Sequence, residues 1–286
     1  MSKINDVQFR FLTLSIAWSW LAIFALIPTL MVVITSFLQT TESQNIAFSF
    51  TLNNYAELVD IAYLKIFLRS LLIAGACTLL CLLISYPFAY GIAHAHPRYR
   101  SVLLLLVIIP FWTSSLIRTY AIMTILKTKG IINSALLMLG IIHQPLQLLY
   151  TNVALFIGLV YTLLPFMLLP LYANMEKMDL TLIDAARDLG ASRLTVLRKI
   201  LIPITMPGIL AGSMMVFLPA MTLFYIPSLL GGAKSMLLGN LIQEQFLSAG
   251  NWPLGAASSV LLIIFMLLLA HWYWQRSPNT DRAELL

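Results

Sequence analysis

Six long apolar runs constrain what this chain can fold into more than any other feature of its sequence. They cover residues 11–38, 66–93, 102–126, 151–175, 200–228 and 253–275. Each exceeds the roughly 20 residues that an α-helix needs to cross about 30 Å of hydrocarbon. Only 10% of the 286 residues are charged, whereas soluble domains average about a quarter. The sequence therefore predicts an all-α, polytopic membrane protein with six transmembrane helices.

The distribution of positive charge predicts that both termini lie in the cytoplasm. With the N-terminus inside, 11 of the 17 lysines and arginines fall in cytoplasmic segments and six at or near the outer face. This excess agrees with the positive-inside rule, although Lys127 and Lys129 go against it. The first run is too long for the core of a signal peptide and precedes no small-residue cleavage site, so it is expected to remain as an anchor.

The loop between the fourth and fifth runs is the most charged part of the chain. It holds nine charged residues among the 24 from Glu176 to Lys199. Each charge at the centre of a bilayer costs about 2.5–3.5 kcal/mol. The loop must therefore lie in water or against a protein surface, and we call residues 179–203 the elbow.

The elbow's pattern predicts two short helices joined by a turn. Thr181 and Asp184 fit a capping box at the start of the first helix, and Gly190 is placed to end it in a left-handed conformation. Ser192 is predicted to cap the second helix, and Pro203 marks the start of the fifth transmembrane helix. The spacing predicts one apolar face on the first helix, formed by Leu182, Ala185, Ala186 and Leu189. It predicts a buried side on the second helix, formed by Leu194, Leu197 and Leu201.

Two interpretations of the elbow follow from these residues. It can be an amphipathic connector lying on the lipid surface, or an element that docks onto another protein. Ala185 and Ala186 would let a groove close tightly around the first helix. Asp184, Arg187 and Asp188 mix both signs of charge, which suits a protein partner better than an anionic membrane.

The elbow resembles the EAA motif of ATP-binding-cassette (ABC) importer permeases, E-A-A-x-x-x-G, nine residues, then I-x-L-P. Here the motif reads Asp184-Ala185-Ala186, Gly190, Ile200, Ile202 and Pro203 with every spacing kept, Asp replacing Glu and Ile replacing Leu. The resemblance implies a type I importer permease fold, in which this loop is a coupling helix that docks into a cytoplasmic ATPase. The implied coupling residues are Asp184, Ala185, Ala186, Arg187, Leu189, Gly190, Ile200 and Pro203.

Two further segments, Pro110–Ala121 (PFWTSSLIRTYA) and Leu218–Phe246, resemble the permeases of polyamine importers. The resemblance implies an ATP-driven importer of spermidine or putrescine in a bacterial inner membrane. The implied partners are a second, homologous permease, two copies of an ATPase, a periplasmic binding protein, the polyamine and membrane lipid, but no nucleic acid. The chain lacks the phosphate-binding pattern G-x-x-x-x-G-K-[ST], so ATP and Mg²⁺ are expected on the ATPase. We expect this chain to be no enzyme and to bind no cofactor or metal.

A flexible polycation needs aromatic faces or carboxylates to replace its water. The candidate pathway residues are Trp112, Tyr120, Tyr161, Phe166, Phe224, Tyr225 and Glu244. Core packing or an interfacial belt is the alternative for each aromatic residue, and simple solvent exposure for Glu244. Many permeases of the resembled family that have wider specificity carry an acidic residue just before the LLGG turn, where this chain has Ser228, so the resemblance implies no carboxylate contact with the cargo at that point. Glu42, Glu57 and Asp60 are expected to help seat the binding protein.

Arg118 is a cation inside the third apolar run. Counting about 1.5 Å per residue along a continuous helix places it near the outer interface. We expect it to extend towards water or to pair with a carboxylate, as ions within membranes usually do.

The sequence suggests three segments: residues 1–65 with the first transmembrane helix, a permease core over 66–275, and a cytoplasmic tail over 276–286. Cys77 and Cys81 are interpreted as buried thiols.

A related importer for another cargo, such as an opine, a phosphonate or an amino-acid-like solute, is the alternative function. A channel or carrier working alone would favour inverted repeats or buried ionisable groups, and neither is clear. A membrane-embedded enzyme would need a catalytic set that the sequence does not suggest.

Overall fold

The computed structural model describes residues 6–41, 44–47, 49–179, 181–232 and 236–276. Within these ranges, six helical segments are long and apolar enough to cross a membrane. This number confirms the prediction from the apolar runs. The six segments are Thr13–Ser36, Ile61–Ala93, Ser115–Met138, Asn152–Glu176, Arg193–Thr222 and Trp252–Tyr273.

The described ranges are largely helical. The α-helices are α1 (Asp6–Leu21), α2 (Ile27–Ser36), α3 (Asn53–Leu58), α4 (Ile61–Ala93), α5 (Pro97–Ile108), α6 (Ser115–Leu126), α7 (Ile131–Met138), α8 (Asn152–Glu176), α9 (Thr181–Asp188), α10 (Arg193–Val196), α11 (Ile202–Thr222), α12 (Leu238–Leu247) and α13 (Trp252–Arg276). Wider π-helical turns lie at Ala22–Leu26, Leu197–Leu201 and Pro227–Gly231, and a 3₁₀ turn lies at Ile109–Trp112. Strands β1 (Gln39–Thr41) and β2 (Gln44–Ala47) pair as an antiparallel hairpin.

The chain divides into two compact units. The first comprises residues 1–64 and 241–267, and the second comprises residues 65–240 and 268–286. The three-segment division suggested by the sequence stays a prediction. Most of its tail, residues 277–286, lies outside the described residues, as does Glu42.

In the first unit, Asn54 fixes the chain where it leaves α2. Its buried side-chain amide donates to the carbonyl oxygens of Ser36 at 2.9 Å and Leu38 at 2.8 Å. The ring of Phe37 packs on Phe50 and Tyr55, with centroids 5.4 and 5.3 Å apart. The amide satisfies one carbonyl at the end of α2 and one just after it, and the ring contacts hold α3 against this segment.

In the second unit, α8 and α11 pack closely because α11 presents two glycines to α8. A Cβ added at Gly212 would lie 3.0 Å from the carbonyl oxygen of Met167, and one at Gly208 would lie 3.0 Å from that of Pro170. Glycines four residues apart let two membrane helices approach backbone to backbone. Met167 and Leu171 of α8 are fully buried in this contact region. The α8–α11 pair is therefore the core of the second unit.

The third apolar run is not one continuous helix, which corrects the sequence-based expectation. Helix α5 ends at Ile108, a 3₁₀ turn covers Ile109–Trp112, and α6 begins at Ser115. Pro110 lacks a backbone N–H and cannot continue an α-helical hydrogen-bond ladder. Thr113 is extended, with φ −90° and ψ 147°. The third apolar run of the sequence is therefore interrupted near its middle.

Arg100 ties together three helix ends near the elbow. Its guanidinium forms an ion pair with Glu176 of α8 at 2.9 Å and donates to the carbonyl oxygen of Ala93, the last residue of α4, at 2.7 Å. Arg100 itself lies in the first turn of α5, where the side chain of His96 accepts from the N–H of Arg98. One side chain therefore links α4, α5 and α8.

The glycine contact predicts that Gly212→Ala lowers the thermal stability of the purified chain. The added methyl group meets the Met167 backbone, which cannot move without displacing α8. A loss of roughly 1–3 kcal/mol is expected. Gly75→Ala on α4 is the matched control, because nothing lies within 4 Å of its added Cβ. Equal melting temperatures for the two variants in the same detergent would contradict close packing at Gly212.

Candidate functional site

The elbow consists of α9 and α10 joined by a tight turn at Gly190, as the sequence predicts. Gly190 has φ +80°, a conformation that side chains with a Cβ rarely adopt. The N–H of Gly190 donates to Arg187 O at 2.9 Å, and the N–H of Ala191 donates to Ala186 O at 3.0 Å. This pair of bonds is a Schellman motif, which satisfies the last carbonyls of α9.

The N-terminal ends of the two elbow helices are both capped by side chains. On α10 the cap is the predicted Ser192, whose Oγ accepts from the N–H of Thr195 at 3.3 Å. On α9 the predicted capping box of Thr181 and Asp184 is replaced by Asp179, whose Oδ1 accepts from the N–H of Thr181 at 3.0 Å. This hydrogen bond holds the pKa of the Asp179 carboxyl below its usual range.

Helix α9 has two apolar faces that point in different directions. Ile183 is buried with Val196 and Leu201 of the following segment, and Ala186 packs against that small cluster. Leu182 and Ala185 lie on the other face and are exposed, and Leu189 is 89% exposed. An outward row of apolar side chains on a charged loop is typical of a surface that another protein covers.

On α10 the structure corrects one position and confirms another. Leu194, predicted to be buried, is 56% exposed, while Val196 is 4% exposed in its place. Leu201 is buried as predicted. The π-helical turn Leu197–Leu201 adds a residue to the turn, which changes the face that each later side chain occupies.

The remaining coupling residues of the elbow lie at its surface or at its junction with α11. Asp184 and Arg187 face one another one turn apart at 3.7 Å, both largely exposed. Ile200 is half-buried and lies in the π-helical turn. Pro203 lies at the start of α11, where its missing N–H needs no partner.

A cavity of about 340 Å³ lies inside the second unit, between α6, α8 and α11. Two predicted pathway residues, Phe166 and Tyr225, line it, together with Arg118. Thr162 also lines the cavity, and its side-chain oxygen is buried without a hydrogen-bond partner among the described residues. The cavity therefore combines aromatic faces with polar groups that are free to receive a ligand.

Arg118 lies at this cavity, and its surroundings differ from the expectation. Its guanidinium carbon is 5.1 Å from the ring centroid of Phe111 and 5.8 Å from that of Tyr161. Within the ranges that the structure describes, no carboxylate lies within 4.0 Å of it, so the expected ion pair is not made there. Arg118 lies in the first turn of α6, and the other expectation, that it extends towards water, stays a prediction.

The other predicted pathway residues are not brought to this cavity. Trp112 is 79% exposed, and Tyr120 and Phe224 are also exposed. Glu244 is exposed on α12 and belongs to the first unit. Sequence reasoning missed Phe111 and Thr162. Phe111 adjoins Trp112 in the segment already singled out, whereas nothing in the sequence marks Thr162.

Ser228 has a structural role just before the LLGG turn. Its hydroxyl donates to Phe224 O at 2.9 Å and accepts from the side-chain amide of Asn240 at 2.7 Å. The same amide donates to Phe224 O at 2.7 Å. Asn240 and Ser228 thus hold the LLGG turn to the start of α12.

Among the described residues, no group of three or more His, Cys, Asp and Glu side chains is placed to hold a metal ion.

Comparison with known proteins places the chain in a family. Residues 82–273 match the family described as "Binding-protein-dependent transport system inner membrane component". The chain therefore belongs to this family of transport proteins, and it is a multi-pass inner membrane protein. The family description names a transport component rather than an enzyme.

Two relatives match over nearly the whole chain. The chain is 46% identical to the spermidine/putrescine transport system permease protein PotB of Haemophilus influenzae, over 98% of both proteins. It is 49% identical to the protein of the same name from Escherichia coli strain K12, over 90% of this chain and 94% of that one.

A solved structure confirms the importer permease fold. The crystal structure of a bacterial alginate ABC transporter, in complex with an alginate pentasaccharide-bound periplasmic protein, has a chain that matches with a TM-score of 0.76. The match covers 95% of this chain and 94% of that one at 15% sequence identity. At this identity the likeness concerns the fold alone.

The unpartnered hydroxyl in the cavity predicts that Thr162→Val preserves or raises the melting temperature of the purified chain. Removing a buried polar group that has no partner relieves a desolvation cost of about 1–3 kcal/mol. Thr205→Val is the matched control, because the Thr205 hydroxyl donates to Leu201 O at 2.7 Å and lies 3.1 Å from Tyr86 Oη. The control should lower the melting temperature. A similar drop for both variants would show that the Thr162 hydroxyl is already satisfied.

Proposed function

We propose that this chain is the permease subunit of an ATP-driven polyamine importer. It forms half of a translocation pathway for spermidine or putrescine and is driven by a separate ATPase. The observation that carries the proposal is the similarity, over nearly the full length, to two proteins named as permeases of a spermidine/putrescine transport system. The EAA-like motif of the elbow, found from the sequence alone, indicates the same class of transporter.

The elbow is the element through which the ATPase acts. Leu182, Ala185 and Leu189 form its outward apolar row, and the Schellman turn at Gly190 sets the angle between α9 and α10. Burying three such side chains in a partner's cleft would contribute several kcal/mol. Since the elbow connects α8 to α11, a displacement of the elbow is delivered to the packed pair at the centre of the second unit. This arrangement supports a coupling role for the residues of the motif.

The cavity between α6, α8 and α11 is the proposed place of contact with the polyamine. Cation–π contacts with its aromatic walls would contribute about 0.5–2 kcal/mol each. Arg118 already occupies the faces of Phe111 and Tyr161. An ammonium group of the cargo would therefore use these faces only after the guanidinium has moved away. Of the other candidates, we retain Trp112, Tyr120, Phe224 and Glu244 as residues along the remainder of the pathway.

The partners follow from this function. A homologous permease would supply the second half of the pathway. Two copies of a cytoplasmic ATPase would bind the elbow of this chain and the corresponding loop of the homologous permease. A periplasmic binding protein would deliver the polyamine, for which exposed Glu57 and Asp60 offer acidic contacts. Both termini and the elbow would lie in the cytoplasm, and residues 66–275 would form the permease core.

ATP-dependent uptake by vesicles that contain the complete transporter tests the proposed function. We expect accumulation of labelled spermidine or putrescine that requires ATP, the binding protein and this chain. Unlabelled polyamines should compete, whereas an opine, a phosphonate or an amino acid should not. A preference for an anionic or neutral solute would refute polyamine transport. Uptake by this chain alone, without the ATPase, would refute the coupling role.

Gly190→Val is predicted to abolish uptake while the protein still inserts into the membrane. Valine is strained at φ +80°, so the turn that presents α9 would be lost. Gly140→Val is the matched control, since Gly140 has φ +70° and, like Gly190, has open space around its Cβ. Both variants carry the same kind of strain, but only one lies in the elbow. Equal uptake by the two variants would contradict the assignment of the elbow.

A further inference from the structure

The second unit contains a large groove at the elbow end that the transport function does not explain. Its volume is about 730 Å³, and its walls are the last turns of α4 and the first turns of α11, with α9 and α10 at one end. The wall residues are almost entirely apolar, among them Leu82, Leu83, Pro87, Ile202, Met206 and Ile209.

The groove extends from membrane depth to the level of water. Helices α4 and α11 belong to segments that are long and apolar enough to cross a membrane, whereas the charged side chains of the elbow are excluded from hydrocarbon. The two arginines that line the groove, Arg187 and Arg193, both lie on the elbow. Its apolar walls and its cationic mouth are thus arranged along one direction, as the tail and head of an amphiphile would be.

The guanidinium groups of both arginines can bind a further anion. Arg187 makes a loose pair with Asp184 at 3.7 Å, and its side chain is 58% exposed. Arg193 is exposed and, in the ranges described, has no carboxylate within 4.0 Å. An additional anion at the mouth would therefore meet two guanidinium groups, which bind phosphate oxygens well.

The groove and the outward apolar row of α9 lie on different faces of this helix, and Arg187 is the one implied coupling residue that lines the groove. Ile183 and Arg187, four residues apart, line the groove. Leu182 and Leu189 project from the opposite side and are exposed. A ligand in the groove would therefore leave the outward row free, and both could be occupied together.

We propose that this groove binds an anionic phospholipid, with an acyl chain along α4 and α11 and the phosphate at Arg187 and Arg193. The two arginines at the mouth favour an anion over the polyamine as the occupant. Apolar contacts at depth combined with cations at the surface match a lipid from the same membrane, as basic pockets between transmembrane helices do elsewhere. The bound lipid braces the elbow from the side that the ATPase does not cover.

Native mass spectrometry of the full chain in a neutral detergent tests this assignment with phosphatidylglycerol and phosphatidylcholine of identical acyl chains. We expect phosphatidylglycerol to bind about tenfold more tightly, because two arginines face its charge. Arg193→Gln should remove most of this preference. Arg198→Gln is the matched control, since Arg198 is exposed on the same elbow but does not line the groove.

Further arms of the experiment separate the lipid from other occupants. Met206→Trp, which fills the groove at membrane depth, should weaken binding of both lipids, and inorganic phosphate should not compete. Equal binding of the two lipids, equal effects of Arg193→Gln and Arg198→Gln, or unchanged binding by Met206→Trp would overturn the proposal. So would loss of the preference in the complete transporter, because a protein neighbour would then cover the groove.

Discussion

The exclusion of charge from hydrocarbon is the constraint on which the rest of this structure depends. It forces the segment between α8 and α11 out of the membrane, while the helices on either side remain within it. Those two helices pack backbone to backbone through Gly208 and Gly212. A polar segment that another protein can reach is therefore joined directly to the most closely packed pair of helices in the second unit. Mechanical coupling needs this combination of an accessible lever and a stiff connection.

The sequence was sufficient to predict features that depend on length or on a single residue type. The six apolar runs predicted the number of spans. Gly190 was predicted to form the turn and Ser192 to cap α10, because few residue types suit those two positions. The break in the third run was missed, since an isolated proline such as Pro110 is compatible with either a kink or a full stop. The buried face of α10 was also missed, because a helix of only four residues is too short for its apolar spacing to define one face.

The candidate cavity was only partly predictable, for a related reason. Phe166 and Tyr225, which line it, were found because aromatic residues in membrane runs are conspicuous. Thr162 was not found, because a threonine usually satisfies its hydroxyl on its own helix, and only the structure reveals the partnerless atom. Arg118 was identified, but its contacts with the rings of Phe111 and Tyr161 were not, since they depend on the bend that the break after Ile108 introduces between the residues of the third run. Errors of this kind come from tertiary geometry rather than from composition.

We infer that an ATPase binds the outward face of α9. The reactivity of a single thiol can test this contact. Cys77 and Cys81 are both buried, so Leu189→Cys would supply the thiol that a membrane-impermeant maleimide reaches in inside-out vesicles. We expect rapid labelling of the chain without the ATPase and strong protection once the ATPase is assembled on it. Labelling at the same rate in both states, or labelling only from the periplasmic side, would contradict the inferred contact.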